Sequence, residues 1–336
     1  MKLNKLLALG VVLLAGTSLA SCGAQTAEVE LGVGYSVSLN ATSGKADVTV
    51  AVAGFDAAGK ILDARFDVVQ VTVAKEGDAW VQKGTKTNDN GIKSKLELGS
   101  DYNMKGSSGI GLEVDAQIEA FADWTVGKTL AEVKAGLIPG SGHGTPVAED
   151  LTNSVTITVD AFVGALELAY QMKQACGEVK WTGCGVGIAT SISAARAGYA
   201  ELSVTVAGAL ANKDTVSAAQ IDTIVLPINQ VEGAYTLVES KYYADGKVLS
   251  KAVLKEGYAM AGKATKGEWN VQIDNMEKAI VGATAEELKA QVGEDNKPVA
   301  DSAIAGATTM TVNEYVAAVC EALEYANLEK VGPQAE

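Results

Sequence analysis

The feature that most constrains this chain is a repeat. Residues about 155 positions apart recur in the same order. Ser94-Lys95 returns as Ser250-Lys251, and Tyr102 and Met104 return as Tyr258 and Met260. Gln117-Ile118 returns as Gln272-Ile273, and Gly127, Thr129 and Glu132 return as Gly282, Thr284 and Glu287. Further on, Thr158-Val159 with Phe162 and Val163 returns as Thr311-Val312 with Tyr315 and Val316. Solenoids stack units of roughly 20–45 residues, so a period this long means tandem copies of a domain-sized unit.

Each copy opens with strand-like alternation, at Val48, Val50 and Val52 in the first and at Leu202, Val204 and Val206 in the second. Asp56-Ala57-Ala58-Gly59-Lys60 and Ala244-Asp245-Gly246-Lys247 have the composition of turns between strands. Each copy then becomes helical. Thr129-x-x-Glu132 and Thr284-x-x-Glu287 have the form of capping boxes, in which hydroxyl and carboxylate each satisfy an otherwise free backbone N–H. Thr311-x-x-Glu314 repeats the form before the last helix, whereas Thr158 is followed by Ala161. Phe162, Leu166 and Ala169 form one apolar stripe at helical spacing; Val316, Val319, Cys320 and Leu323 form the other. The expected fold class is α+β, with two tandem related domains, each an antiparallel sheet packed with helices. The expected boundaries are 28–175 for the first copy, 176–190 for a connecting loop and 191–336 for the second copy.

The N-terminus has a separate logic. Lys2 and Lys5 precede an apolar run from Leu6 to Leu14, broken only by Gly10, and Ala15-Gly16-Thr17-Ser18 follows. That order of basic, apolar and small residues is the layout of a secretory signal. The run is too short to span a membrane, which takes about 20 apolar residues, and no later stretch qualifies. The segment ends in Leu19-Ala20-Ser21-Cys22, which resembles the lipobox of bacterial lipoprotein precursors. The resemblance implies a signal peptide over 1–21 and a diacylglyceryl group on the Cys22 sulfur. It also implies a short lipidated linker over 22–27 that holds the folded part at the outer face of the cytoplasmic membrane.

The charge balance narrows the partners. With 27 basic and 41 acidic residues the precursor carries −14. Loss of Lys2 and Lys5 would leave 25 − 41 = −16. No basic patch is present to displace counterions from phosphates, so no nucleic-acid partner is expected. The acids are scattered, as on a solvated surface.

The Ser-Lys…Tyr-x-Met stretch, Gly127 to Val133, and Ser154-Val155-Thr156-Ile157-Thr158 together resemble a group of surface lipoproteins from Gram-positive bacteria. More distantly, both copies resemble the FMN-binding domain family, small extracytoplasmic α+β domains. In that family a flavin transferase often esterifies FMN to a threonine, within an aspartate, two variable residues, Ser or Thr, then Gly-Ala-Thr. The second copy reads Asp301-Ser302-Ala303-Ile304-Ala305-Gly306-Ala307-Thr308. Gly306, Ala307 and Thr308 fit, while Ala305 replaces the Ser or Thr and Asp301 lies one residue too far upstream. The first copy, from Asp150 to Thr158, has no Gly-Ala-Thr. The resemblance implies FMN at Thr308, cradled by Gly306 and Ala307 and the following helix N-terminus. The same residues also suit a plain strand-to-helix turn.

Cys176 and Cys184 flank a glycine-bounded segment that reads as a hairpin, so a disulfide or two thiols are both open. Cys320, on an apolar stripe, reads as a buried thiol. His143, the one histidine, lies in a glycine-rich loop without a nucleophile at a familiar spacing, and zinc-ligand spacing is missing. The recurring Lys95/Lys251, Tyr102/Tyr258 and Met104/Met260 suit core packing better than a ligand pocket. The functional expectation is a non-enzymatic, membrane-anchored binding lipoprotein carrying FMN for electron transfer, with a flavin transferase and membrane electron-transfer proteins as partners. The alternative is a structural or solute-binding surface lipoprotein without flavin.

Overall fold

The computed structural model describes residues 24–137, 148–195 and 197–328. In the first copy β1 (Gln25–Leu39), β2 (Lys45–Phe55), β3 (Ile61–Glu76) and β4 (Ala79–Lys83) form an antiparallel meander. A two-stranded hairpin, β5 (Thr87–Asn88) and β6 (Gly91–Ile92), follows. Then come α1 (Lys95–Leu98), α2 (Val114–Thr125), α3 (Leu130–Ala135), α4 (Glu149–Thr152) and α5 (Asp160–Met172). Next, β7 (Gln174–Trp181) returns to pair with β1, giving the order β4-β3-β2-β1-β7.

The second copy repeats the plan. Its sheet has the order β11-β10-β9-β8, from β8 (Gly183–Ala194), β9 (Ala200–Asn212), β10 (Thr215–Val231) and β11 (Ala234–Leu237). A hairpin, β12 (Tyr243–Ala244) and β13 (Lys247–Val248), leads to α6 (Lys251–Leu254) and α7 (Trp269–Ala279). The chain continues through α8 (Ala285–Lys289), α9 (Ala303–Ala307) and α10 (Asn313–Asn327). The α+β class holds, with antiparallel sheets and helices packed on each.

The two sheets lie face to face. Strand β8 packs on β2, β3 and β4, and β1 packs on β9 and β10. Leu202, Val204 and Val206 join the core built on the first sheet, while Ala207, Ala209 and Ala211 belong to the core under α10. The layers are therefore helix, sheet, sheet, helix. Both faces of the central strands are covered, so Val48 through Phe55 is buried at every position instead of alternately.

The expected loop over 176–190 is instead strand. The chain runs from β7 in one sheet to β8 in the other, bending at Thr182. The glycines that suggested a loop have a packing role. A Cβ on Gly183, Gly185 or Gly187 would fall 2.1, 1.8 or 1.9 Å from the carbonyl oxygens of Ala326, Ala322 and Ala318. Gly32 and Gly34 do the same beneath Ala169 and Ala165, at 2.1 and 2.2 Å. Alternate glycines bare one face of each first strand, so the last helix of each copy rests directly on backbone.

Two further expectations change. Within the expected linker 22–27, Gln25, Thr26 and Ala27 are strand residues paired with Trp181, Lys180 and Val179. Their backbone groups find partners because β7 offers an open edge. The capping boxes at Thr129/Glu132 and Thr284/Glu287 are both formed. By contrast Thr311 caps nothing, because α10 starts at Asn313 behind Val312, without a side-chain cap.

Candidate functional site

Thr308 stands at the C-terminal end of α9, with Gly306 and Ala307 inside that short helix. The expected turn before a helix is thus a helix end. The Thr308 side chain is buried, at 2% exposure, and its Oγ1 donates to Gln272 Oε1 at 2.8 Å. The same Oγ1 accepts from the Met310 amide at 3.1 Å. The carbonyls of Ala305 and Gly306 accept from Lys266 Nζ. Thr308 therefore lies at the carbonyl end of α9, the pole opposite to the one that holds a phosphate.

Gln272 explains the repeat at this point. Its Oε1 also takes the Thr309 amide at 3.0 Å, and its Nε2 donates to Gly267 O at 2.9 Å. In the first copy Gln117 Oε1 takes the amides of Thr156 and Ile157 at 2.8 and 3.2 Å. Each glutamine staples the approach to its last helix. Thr156 thus matches Thr309, and Thr308 falls where the first copy has Val155, likewise 2% exposed.

The two cysteines are not brought together. Cys176 is a half-buried thiol on β7, while Cys184 is buried on β8 against Val52. From Cys176 to the end of β7 at Trp181 the extended chain spans roughly 16 Å, and β8 continues in the other sheet. A disulfide needs Cα atoms within about 7 Å. The hairpin reading failed because those glycines serve the helix contact. Cys320 is buried on its stripe, as expected, with its thiol pKa raised by burial. Cys22 and His143 lie outside the described residues.

The recurring lysines and tyrosines form cation–π pairs. Lys95 Nζ sits 5.0 Å from the Tyr102 ring centre, and Lys251 Nζ sits 5.4 Å from that of Tyr258. Beyond Lys251, Trp269 Nε1 donates to Tyr315 Oη at 2.9 Å. In the first copy Val114 and Phe162 stand in those places, and a pocket of about 380 Å³ stays open beside Lys95.

A cleft of about 900 Å³ opens where the copies meet. Hairpin β5–β6 and α1 supply one wall, and α8 and α10 supply another. The hairpin is seated on the other copy's sheet, since Ile92 N donates to Thr190 Oγ1 at 2.8 Å. Glu97 and Glu321 lie inside the cleft; Asp89, Asp214, Glu286 and Glu324 line its rim. Glu321 is 7% exposed. Its Oε2 accepts from the Ile188 amide at 3.1 Å, and its Oε1 has no hydrogen-bond partner. Burial, then the charges of Glu97 and Asp67, hold its pKa well above the usual carboxylate range. Burial also raises Glu97, although the Ser94 amide bound to it works the other way.

Sequence reasoning missed these carboxylates and two residues that join the copies. Arg65 is 2% exposed. It pairs with Glu119 at 2.8 Å and donates to the carbonyls of Tyr325 and Leu328 at the end of α10, at 2.9 and 3.1 Å. Gln220 does the converse, donating to Met172 O at the end of α5 at 2.8 Å and accepting from Val33 N at 2.5 Å. Buried Asp67 and Asp222 recur at the repeat offset. They accept from Leu96 N at 3.1 Å and Ala252 N at 3.0 Å, fixing α1 and α6. Extending the repeat alignment into the third strand of each copy would have found that pair.

Among the described residues no group of three potential metal ligands converges, and no helix is long and apolar enough to cross a membrane. No family model matches the chain, and no solved structure gives a significant match. One stretch of 96 residues is 32% identical to a Desulfitobacterium hafniense protein named chlorophenol reductase. It covers 26% of this chain and 29% of that one, so the chain spans less than a third of the relative it resembles.

Proposed function

We propose that the chain is a non-enzymatic extracytoplasmic binding lipoprotein, anchored through Cys22 to the outer face of the membrane. In this reading it takes a soluble ligand where its two copies meet. The observation that carries the reading is the cleft of about 900 Å³ walled by residues of both copies. Clefts of this size between packed units are where small ligands bind. The burial of Thr308 favours this reading over flavin carriage, since its hydroxyl is engaged twice.

A second reading has support of its own. Gly306-Ala307-Thr308 matches the FMN attachment triplet, and the partial relative carries the name of a reductase. In that reading FMN is esterified to Thr308 by a flavin transferase and passes electrons to membrane proteins. The cofactor supplies the redox chemistry and the protein its position. It requires α9 to open, because Thr308 is inaccessible as packed.

One experiment separates the two. The full chain is co-expressed with a flavin transferase in a host that processes lipoproteins, then examined by in-gel fluorescence and intact mass. The binding reading expects a colourless band with the mass of the lipidated chain and unlipidated protein from Cys22→Ala. A yellow, fluorescent band that disappears in Thr308→Ala would overturn it in favour of flavin.

A further inference from the structure

We propose that the first copy binds a small aromatic carboxylate in the opening of about 380 Å³ beside Lys95. None of the residues lining this opening also lines the junction cleft, so it is a second site, beyond the one proposed above. Buried Thr49, Val114 and Phe162 line it together with half-buried Lys95, Tyr102 and Met104. Its volume falls in the usual size range of small-ligand pockets.

The second copy fills the same framework with its own side chains. The repeat sets Val114 against Trp269, Ala161 against Glu314 and Phe162 against Tyr315. Strand pairing sets Thr49 against Thr205. Each lies two residues before the alanine paired with Gly34 or Gly187, and those glycines meet the equivalent helix carbonyls of Ala165 and Ala318. In the second copy the Trp269 ring, 1% exposed, has its centre 5.8 Å from Lys251 Nζ. Thr205 Oγ1 donates to Glu314 Oε2 at 3.2 Å. Burial lowers the Lys251 pKa, but Tyr315, Tyr258 and Glu314 outweigh it and leave the value raised. An aromatic ring and a carboxylate thus complete the surroundings of that lysine and threonine.

The first copy keeps the receiving groups and lacks both occupants. Lys95 retains its contact with Tyr102, 5.0 Å from the ring centre, but Val114 brings no ring and Ala161 no carboxylate. Thr49 is 4% exposed, lines the opening and has no side-chain partner among the described residues. Asp47, the one acid on the lining, has Lys45 as counter-charge at 3.7 Å. An aromatic acid supplies both missing parts. Its ring takes the place that Trp269 holds in the other copy, beside the Lys95 ammonium, and its carboxylate accepts from Thr49 and Lys95. A bare anion forgoes the ring contacts, and a neutral ring leaves the lysine and the buried hydroxyl without an acceptor.

The test is calorimetric titration of the detergent-solubilised full chain with indole-3-acetate, with tryptophol and sodium acetate as comparison titrants. Tryptophol keeps the ring and has an alcohol for the carboxylate; acetate keeps the carboxylate alone. The expected result is saturable binding of one indole-3-acetate per chain, with both comparison compounds at least about tenfold weaker. Val114→Trp should abolish binding by filling the opening with the second copy's ring. Ala161→Glu introduces the second copy's carboxylate at an exposed position, and keeps the test decisive if the bulkier variant does not fold. It should weaken binding at least about tenfold while leaving the melting temperature unchanged. No saturable binding of indole-3-acetate, tryptophol binding as tightly as the acid, or unchanged binding by Ala161→Glu would overturn the proposal.

Discussion

At the residue scale, the least replaceable side chain is Arg65. Its guanidinium meets a carboxylate and two helix-end carbonyls of the other copy in a buried site, a geometry suited to a rigid, forked donor. Arg65→Met keeps volume and removes every one of those bonds. It should cost about 3–5 kcal/mol, read as a lowered urea midpoint, because Glu119 loses its ion-pair partner in a buried site. Arg65→Lys should recover only part of the loss, since one ammonium cannot span the same acceptors. Neither residue was legible beforehand. An arginine in an apolar strand carries no sign of which helix end it will meet from the far side of a two-sheet stack.

At the element scale, the first strand and last helix of each copy form a unit held by alternating glycines. Gly185→Val puts a branched side chain where a single Cβ already lies 1.8 Å from Ala322 O. Helix α10 must lift from β8 or the strand must bend, and overpacking of this kind costs about 3 kcal/mol or more. The check is thermal unfolding beside Gly306→Ala, which has open space around it and should stay within about 1 kcal/mol of the parent. The helix caps were readable because Thr129/Glu132 and Thr284/Glu287 are local motifs whose partners lie three residues apart. The glycine strands were misread because glycine marks both a turn and a close approach, and only the partner helix distinguishes them.

At the scale of the whole molecule, buried acids set the response to pH. Burial pushes Asp67 up to about 7 and raises Asp222, Glu277 and Glu321 above the ordinary range. A raised carboxylate binds its proton more tightly in the folded state. Its contribution is fully present below the unfolded pKa near 4 and is lost as pH rises through the folded value. The melting temperature should therefore fall between pH 5 and pH 8, and Asp67→Asn should flatten part of that slope. A flat wild-type profile over this window would contradict the assignment. Glu132, Glu268 and Glu287, whose pKa values their backbone donors lower, act in the opposite sense but only below about pH 4.5. Because one core spans both sheets and Arg65 and Gln220 cross between copies, calorimetry should show one unfolding transition, not two.

The sequence by itself determined the duplication, the α+β class, the turns, the capping boxes and the apolar stripes. Each depends on residues close in the chain or on comparing one copy with the other. Tertiary structure alone decided that the copies share a core, that Thr308 is buried on Gln272, and that residues 176–190 form strand. It alone brought Glu97 and Glu321 into one cleft from opposite halves of the chain. The reason is physical: burial and charge proximity depend on how two layers stack, and that stacking joins residues more than 200 positions apart, as Tyr35 and Ser250 show.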